Sequence, residues 1–99
     1  MTRWVVVFRD TPAMLNVRAR QELRDAHVAY VKAHPEILIG GGLKLETGEP
    51  FCGALWVVEL PAKADVEQVI GGDPFYVPEH RAYEIFTWGK ILADQNAVL

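Results

Sequence analysis

The sequence predicts an α+β domain of the ferredoxin-like βαββαβ type, a four-stranded antiparallel sheet with two helices on one face. Three observations predict it. Short β-branched and aromatic runs alternate with two helix-patterned stretches in the order strand, helix, strand, strand, helix, strand. The chain of 99 residues holds enough material for one core and too little for two, because a domain this small buries only roughly two-thirds of its unfolded surface. Residues 1–99 are therefore read as one domain. The first and third strands, finally, are apolar at consecutive positions, the pattern of strands covered on both faces.

The first strand is Trp4 to Phe8, a β-branched and aromatic run. Asp10-Thr11-Pro12 follows with helix-start chemistry, a hydroxyl that can cap and a proline suited to the first turn. From Met14 to Ala33 there is neither Gly nor Pro, and Ala19, Leu23, Ala26, Tyr30 and Ala33 recur at helical spacing opposite a charged face. One amphipathic helix is expected here, stopped near His34-Pro35. Ile37 to Leu45 is a strand interrupted by Gly40-Gly41-Gly42, a signal of a bulge or of close approach by a backbone or a ligand. Glu46 to Pro50 is a turn, Ala54 to Leu60 the third strand, Pro61 to Gly71 a second helix and Tyr83 to Trp88 the last strand.

With both helices on one face, the second apolar face of the sheet needs a cover. A second copy of the same sheet is the economical one, since two-fold homodimers are the commonest assemblies. A homodimer through the open sheet face is the expectation. Trp56, Trp4 and Trp88 are assigned to the core or to that seam.

Composition narrows the partners. At 51% hydrophobic and 23% charged, the chain is an ordinary globular one. Its net charge of -3, with basic residues interspersed among acids, argues against nucleic acid. Cys52 is the single cysteine, so no internal disulfide forms, which fits a reducing, cytoplasmic setting. The apolar run at Trp4 is too short for a signal-peptide core or a membrane span. No membrane partner is expected.

Few residues can carry chemistry. His27 follows Leu23 by four positions and precedes Tyr30 by three, so it projects toward the buried side of its helix. There it is either a hydrogen-bonded core histidine or, paired with a carboxylate, a general base working near neutral pH. Asp73 lies in Gly71-Gly72-Asp73-Pro74-Phe75, where the glycines and proline fix the backbone. Its side chain either closes an ordinary turn or is held inward as a partner for a base. Arg18 is placed as an anion clamp and Tyr30 as a hydroxyl donor near His27, against the alternatives of a solvated arginine and a core tyrosine. His34 and His80 read as solvated. The three histidines with Cys52 lack the paired spacing of a zinc site, so no metal is expected. Gly40 to Gly42 matches neither the P-loop nor the dinucleotide fingerprint.

Taken together, Thr11-Pro12, Asn16-Val17-Arg18, Arg24 to Tyr30, the glycine-bearing strand, Gly48, Gly53 and Gly72-Asp73-Pro74-Phe75 resemble the YCII family in order and spacing over nearly the whole chain. The resemblance implies a dimeric α-β barrel fold and an active site in which the helix histidine and the Asp-Pro aspartate, here His27 and Asp73, face a common pocket. Phe75, in the same tripeptide, joins Arg18 and Tyr30 as a substrate-binding candidate. An activity of the family is dehydrochlorination of a chlorinated hydroxyquinol, and its fold is similar to that of muconolactone isomerases. One departure is Val77-Pro78-Glu79-His80-Arg81, bulkier and more charged than the family pattern after Asp-Pro-Phe. The expected function is proton transfer by a His27-Asp73 dyad on a small organic molecule, in elimination or isomerisation, without a cofactor. The rival is a non-catalytic ligand-binding or accessory dimer in which the pair is structural.

Overall fold

A computed structural model describes residues 1–96. Strand β1 runs Thr2–Asp10, helix α1 Met14–Ala19, helix α2 Gln21–Lys32, β2 Ile37–Lys44, β3 Phe51–Leu60, helix α3 Lys63–Gly72 and β4 Arg81–Thr87. The sheet order is β2-β3-β1-β4, with every neighbouring pair antiparallel. This is the ferredoxin-like arrangement, with β1 and β3 at the centre.

The register explains why the central strands are apolar throughout. Val6, Phe8, Trp56 and Val58 point to one face, where they join Ile37 and Ala54 beneath Val66 and Ile70 of α3. Each such side chain contributes about 1.5–3 kcal/mol when fully buried. The intervening Val5, Val7, Leu55 and Val57 share the other face with Ile39 and Phe86, which are 38% and 50% exposed. Ion pairs Arg3–Glu59 and Arg9–Glu84 flank that apolar strip.

The expected single helix from Met14 to Ala33 is two helices. Arg20 adopts extended backbone (φ -78°, ψ 116°), ends α1 and caps α2, its carbonyl accepting the Arg24 N–H at 3.0 Å. Neither Gly nor Pro marks the break, because tertiary tethering selects it: Met14 is buried and Arg18 is bonded to the Gly53 carbonyl, which ties α1 to the end of the sheet. The inward stripe of α2 also differs from the alanine-rich one expected. Leu23, His27, Tyr30, Val31 and His34 turn inward, while Ala19, Ala26 and Ala33 are exposed. Alanine suits either face of a helix and so marks neither.

Strand β2 is irregular as expected, but its register shifts fall between Ile37 and Ile39 and between Leu43 and Lys44, on either side of the glycines, which pair regularly with Trp56, Leu55 and Ala54. Gly48, at φ 90°, supplies the left-handed residue of the turn into β3. Strand β3 begins at Phe51, three residues before the expected Ala54, because Gly53 lets its backbone lie against that of Phe8. Among the described residues no helix is long and apolar enough to cross a membrane.

Candidate active site

Two elements meet at His27 and Asp73. Helix α3 ends at Gly72, and Asp73 leaves it in extended conformation, so its carboxylate turns back toward α2. Gly72 permits this approach, because a Cβ there would lie 2.5 Å from the Tyr30 hydroxyl. Asp73 is 4% exposed. Its Oδ1 accepts the Phe75 N–H at 3.0 Å, the turn chemistry of an Asp before proline, and lies 2.7 Å from His27 Nδ1.

A carboxylate only accepts, so this contact places a proton on Nδ1, and in the neutral imidazole Nε2 is then the accepting nitrogen. The Phe75 ring stacks on the imidazole at 4.3 Å and 9°, fixing the plane in which Nε2 can meet a ligand. The other carboxylate oxygen, Oδ2, is buried without a hydrogen-bond partner. Leaving a lone pair buried is unfavourable, and a catalytic role is one of the few reasons a fold keeps such a group.

The side chain of His27 is 23% exposed, and its ring opens onto a cavity of about 210 Å³ between α2 and the sheet. Phe75 and Val31 form part of the wall; Trp56, Ala54 and the triple glycine form the floor. The alternation of β2 turns Gly40 and Gly42 toward this space. A Cβ on Gly40 would stand 2.8 Å from Trp56 Cδ1, and one on Gly42 would fall on the Phe51 ring. The glycines thus add no side chains of their own to the cavity floor and let two aromatic rings pack close.

At the far end Arg81, 3% exposed, grips Asp10 through two bonds, Nε to Oδ1 at 2.7 Å and Nη2 to Oδ2 at 2.9 Å. Arg18 shares the same carboxylate more distantly, Nη2 to Oδ2 at 3.4 Å, and donates to the Gly53 carbonyl at 2.8 Å. Burial, then the charge of Arg81, hold the Arg18 guanidinium below its usual pKa against the pull of Asp10. Its Nε is buried without a partner, and its Cζ lies 4.4 Å from the centroid of the Phe51 ring.

A family model for the YCII-related domain matches residues 2–89. The chain belongs to the YCII family. No curated protein matches it. Among solved structures it is similar to 5-chloro-2-hydroxyhydroquinone dehydrochlorinase from Burkholderia phenoliruptrix AC1100, determined in complex with 2,5-dihydroxybenzoquinone. The two are 25% identical, with a TM-score of 0.73 over 88% of this chain and 93% of that one. The shared architecture is of the dimeric α-β barrel class.

In this YCII domain the predicted candidates do not all converge. His27, Phe75 and Arg18 line one cavity, and Asp73 sits behind the imidazole. Tyr30 is placed elsewhere: its hydroxyl donates to the Val69 carbonyl at 2.7 Å, so it joins α2 to α3 rather than facing the cavity. His34, expected to be solvated, is half-buried, with Nδ1 at 2.6 Å from the Tyr30 carbonyl and its ring against Tyr30. Among the described residues no three His, Cys, Asp or Glu side chains gather as a metal would require. Sequence reading passed over Asp10 and Arg81. The signal was available in β1, where Trp4, Val6, Phe8 and Asp10 share the inward face, so a carboxylate there needed a buried cation. Arg81 faces it directly in the register.

Proposed function

We propose that this YCII domain is a cofactor-independent enzyme that moves a proton on a small ring compound held in the cavity under α2. His27 Nε2 is the base. Asp73 holds the imidazole in the required tautomer and stabilises the imidazolium that forms. In elimination on the keto form of a chlorinated hydroxylated ring, Nε2 takes a hydroxyl proton, the O–H pair closes a carbonyl, the adjacent ring double bond shifts and chloride leaves the saturated carbon, so that the elements of HCl are lost. In isomerisation the same proton returns to a different atom.

The observation that carries this reading is a buried carboxylate oriented on an imidazole whose ring opens onto a cavity. A purely structural pair is expected to be sealed, and this one is not. The dehydrochlorination performed by the similar Burkholderia enzyme supports elimination as the reaction class. The size also fits, since cavities of roughly 150 Å³ accept a benzene ring.

The test is chloride release from a chlorinated hydroxyhydroquinone. His27→Gln is expected to lower kcat by about 10²–10⁴-fold while leaving the unfolding transition near that of the wild type. A folded His27→Gln variant with full turnover would sink the proposal. A large loss of stability with no measurable wild-type turnover would favour the structural pair.

We further propose that the open sheet face pairs with its copy in a homodimer. The apolar strip of Val5, Val7, Leu55, Val57, Ile39 and Phe86, bounded by ion pairs, has the anatomy of an interface core with a polar rim. Sedimentation equilibrium is expected to give twice the chain mass, and Val7→Glu to give a monomer. A wild-type monomer at all concentrations would refute this.

A further inference from the structure

The charges around the cavity are unevenly placed. Arg18, Lys32 and Arg81 line it, and among the described residues no Asp or Glu does. The carboxylate bonded to both arginines, Asp10, is taken by Arg81 through both oxygens, and Arg18 receives only the longer contact at 3.4 Å. One carboxylate therefore serves two guanidiniums, that of Arg81 buried and that of Arg18 half-buried. The other buried carboxylate, Asp73, is committed to His27 and to the Phe75 N–H, on the far side of the imidazole from the cavity.

The Arg18 side chain shows the same imbalance at the level of single bonds. It is 15% exposed, and all its hydrogen bonds run from Nη2. Its Nε has no partner although it is buried. A buried charged donor without an acceptor is unfavourable unless a ligand completes it. Phe51 and Phe75, with centroids 4.4 and 5.9 Å from Cζ, keep the guanidinium from swinging out.

We propose that the cavity selects rings carrying an anionic oxygen, seated with that oxygen against Arg18 and with the acidic proton toward His27. This rests on the reading of the cavity as a small-molecule site and adds the charge state of what it takes. A hydroxylated ring ionised at one oxygen has already lost one proton and carries the electron density that helps expel an anion such as chloride. Arg18 therefore binds the substrate in its reactive form and fixes which edge meets the base.

Titration calorimetry under nitrogen tests it with two six-membered rings, 2,5-dihydroxybenzoquinone, whose acidic hydroxyls are ionised at neutral pH, and hydroquinone, which is uncharged there. The wild type is expected to bind the anion at least about tenfold more tightly, the scale of one charge-assisted hydrogen bond. Arg18→Gln is expected to bring the two within about threefold of each other, and Arg18→Lys to retain a preference. Equal binding of both rings by the wild type would overturn the charge selection and leave the ligand site standing. A folded Arg18→Gln that keeps the tenfold gap would overturn the role of Arg18. Binding of neither ring would remove the site reading and this inference with it. The wild-type comparison holds even if Arg18→Gln fails to fold.

Discussion

The two longer helices cover the same sheet on different terms: α3 sets Val66 and Ile70, both fully buried, against Val6 and Val58, whereas α2 has no fully buried residue in its twelve. Under α3 the layers interlock. Under α2 lies the cavity, floored by glycines where β2 would otherwise supply side chains. One half of the helical layer thus gives the domain its stability, and the other gives up packing for space beside His27. A small domain has few apolar contacts to spare. The cavity is floored by β2 and β3, and Val66 and Ile70 of α3 take no part in its lining, so the packing under α3 is left intact.

The sharpest way to break this contrast is to truncate one aliphatic side chain on each helix. Ile70→Ala is expected to destabilise the fold by about 2–5 kcal/mol, the range for emptying a fully packed site. Val31→Ala, which only widens an existing space, is expected to cost about 1 kcal/mol or less. Urea unfolding of both variants measures the difference. Equal losses would mean that α2 is packed as firmly as α3 and that the cavity closes in solution.

The same division governs how much was legible in the sequence. The succession of elements along the chain, the α3 core and the glycine interruption follow from periodicity and composition, because local pattern and tertiary burial agree there. On α2 they do not agree. A helix that half-covers a cavity carries a weak apolar stripe, so its alanines suggested a face that the fold does not use. His27 was identifiable because an imidazole between Leu23 and Tyr30 stands out on an inward face. Asp10 and Arg81 were harder, since each looks like turn or surface chemistry until the register brings them opposite one another, 71 residues apart in the chain. The break at Arg20 has no local signature, and what determines it is the tether from Arg18 to Gly53.

Tyr30 tests the seam between the two halves, and its effect is the smallest. Burial, followed by the nearby charges of Asp73 and Glu36, raises the pKa of its hydroxyl above the ordinary value of 10.0. The folded state therefore holds this proton more tightly than the unfolded chain does. Its contribution is complete below about pH 10 and is lost as pH rises from there through the raised folded value. Tyr30→Phe removes that titration together with the bond to the Val69 carbonyl, which is worth about 0.5–1.5 kcal/mol at neutral pH. The variant is expected to start less stable and to decline less steeply above pH 10, keeping the share owed to Tyr83, whose hydroxyl is raised in the same direction chiefly by burial. Stability measured against pH in both proteins decides it. An unchanged alkaline slope would mean that Tyr30 is solvated and that α2 and α3 are not joined through it, whereas a shallower slope with ligand affinity unaltered would assign Tyr30 to the seam alone.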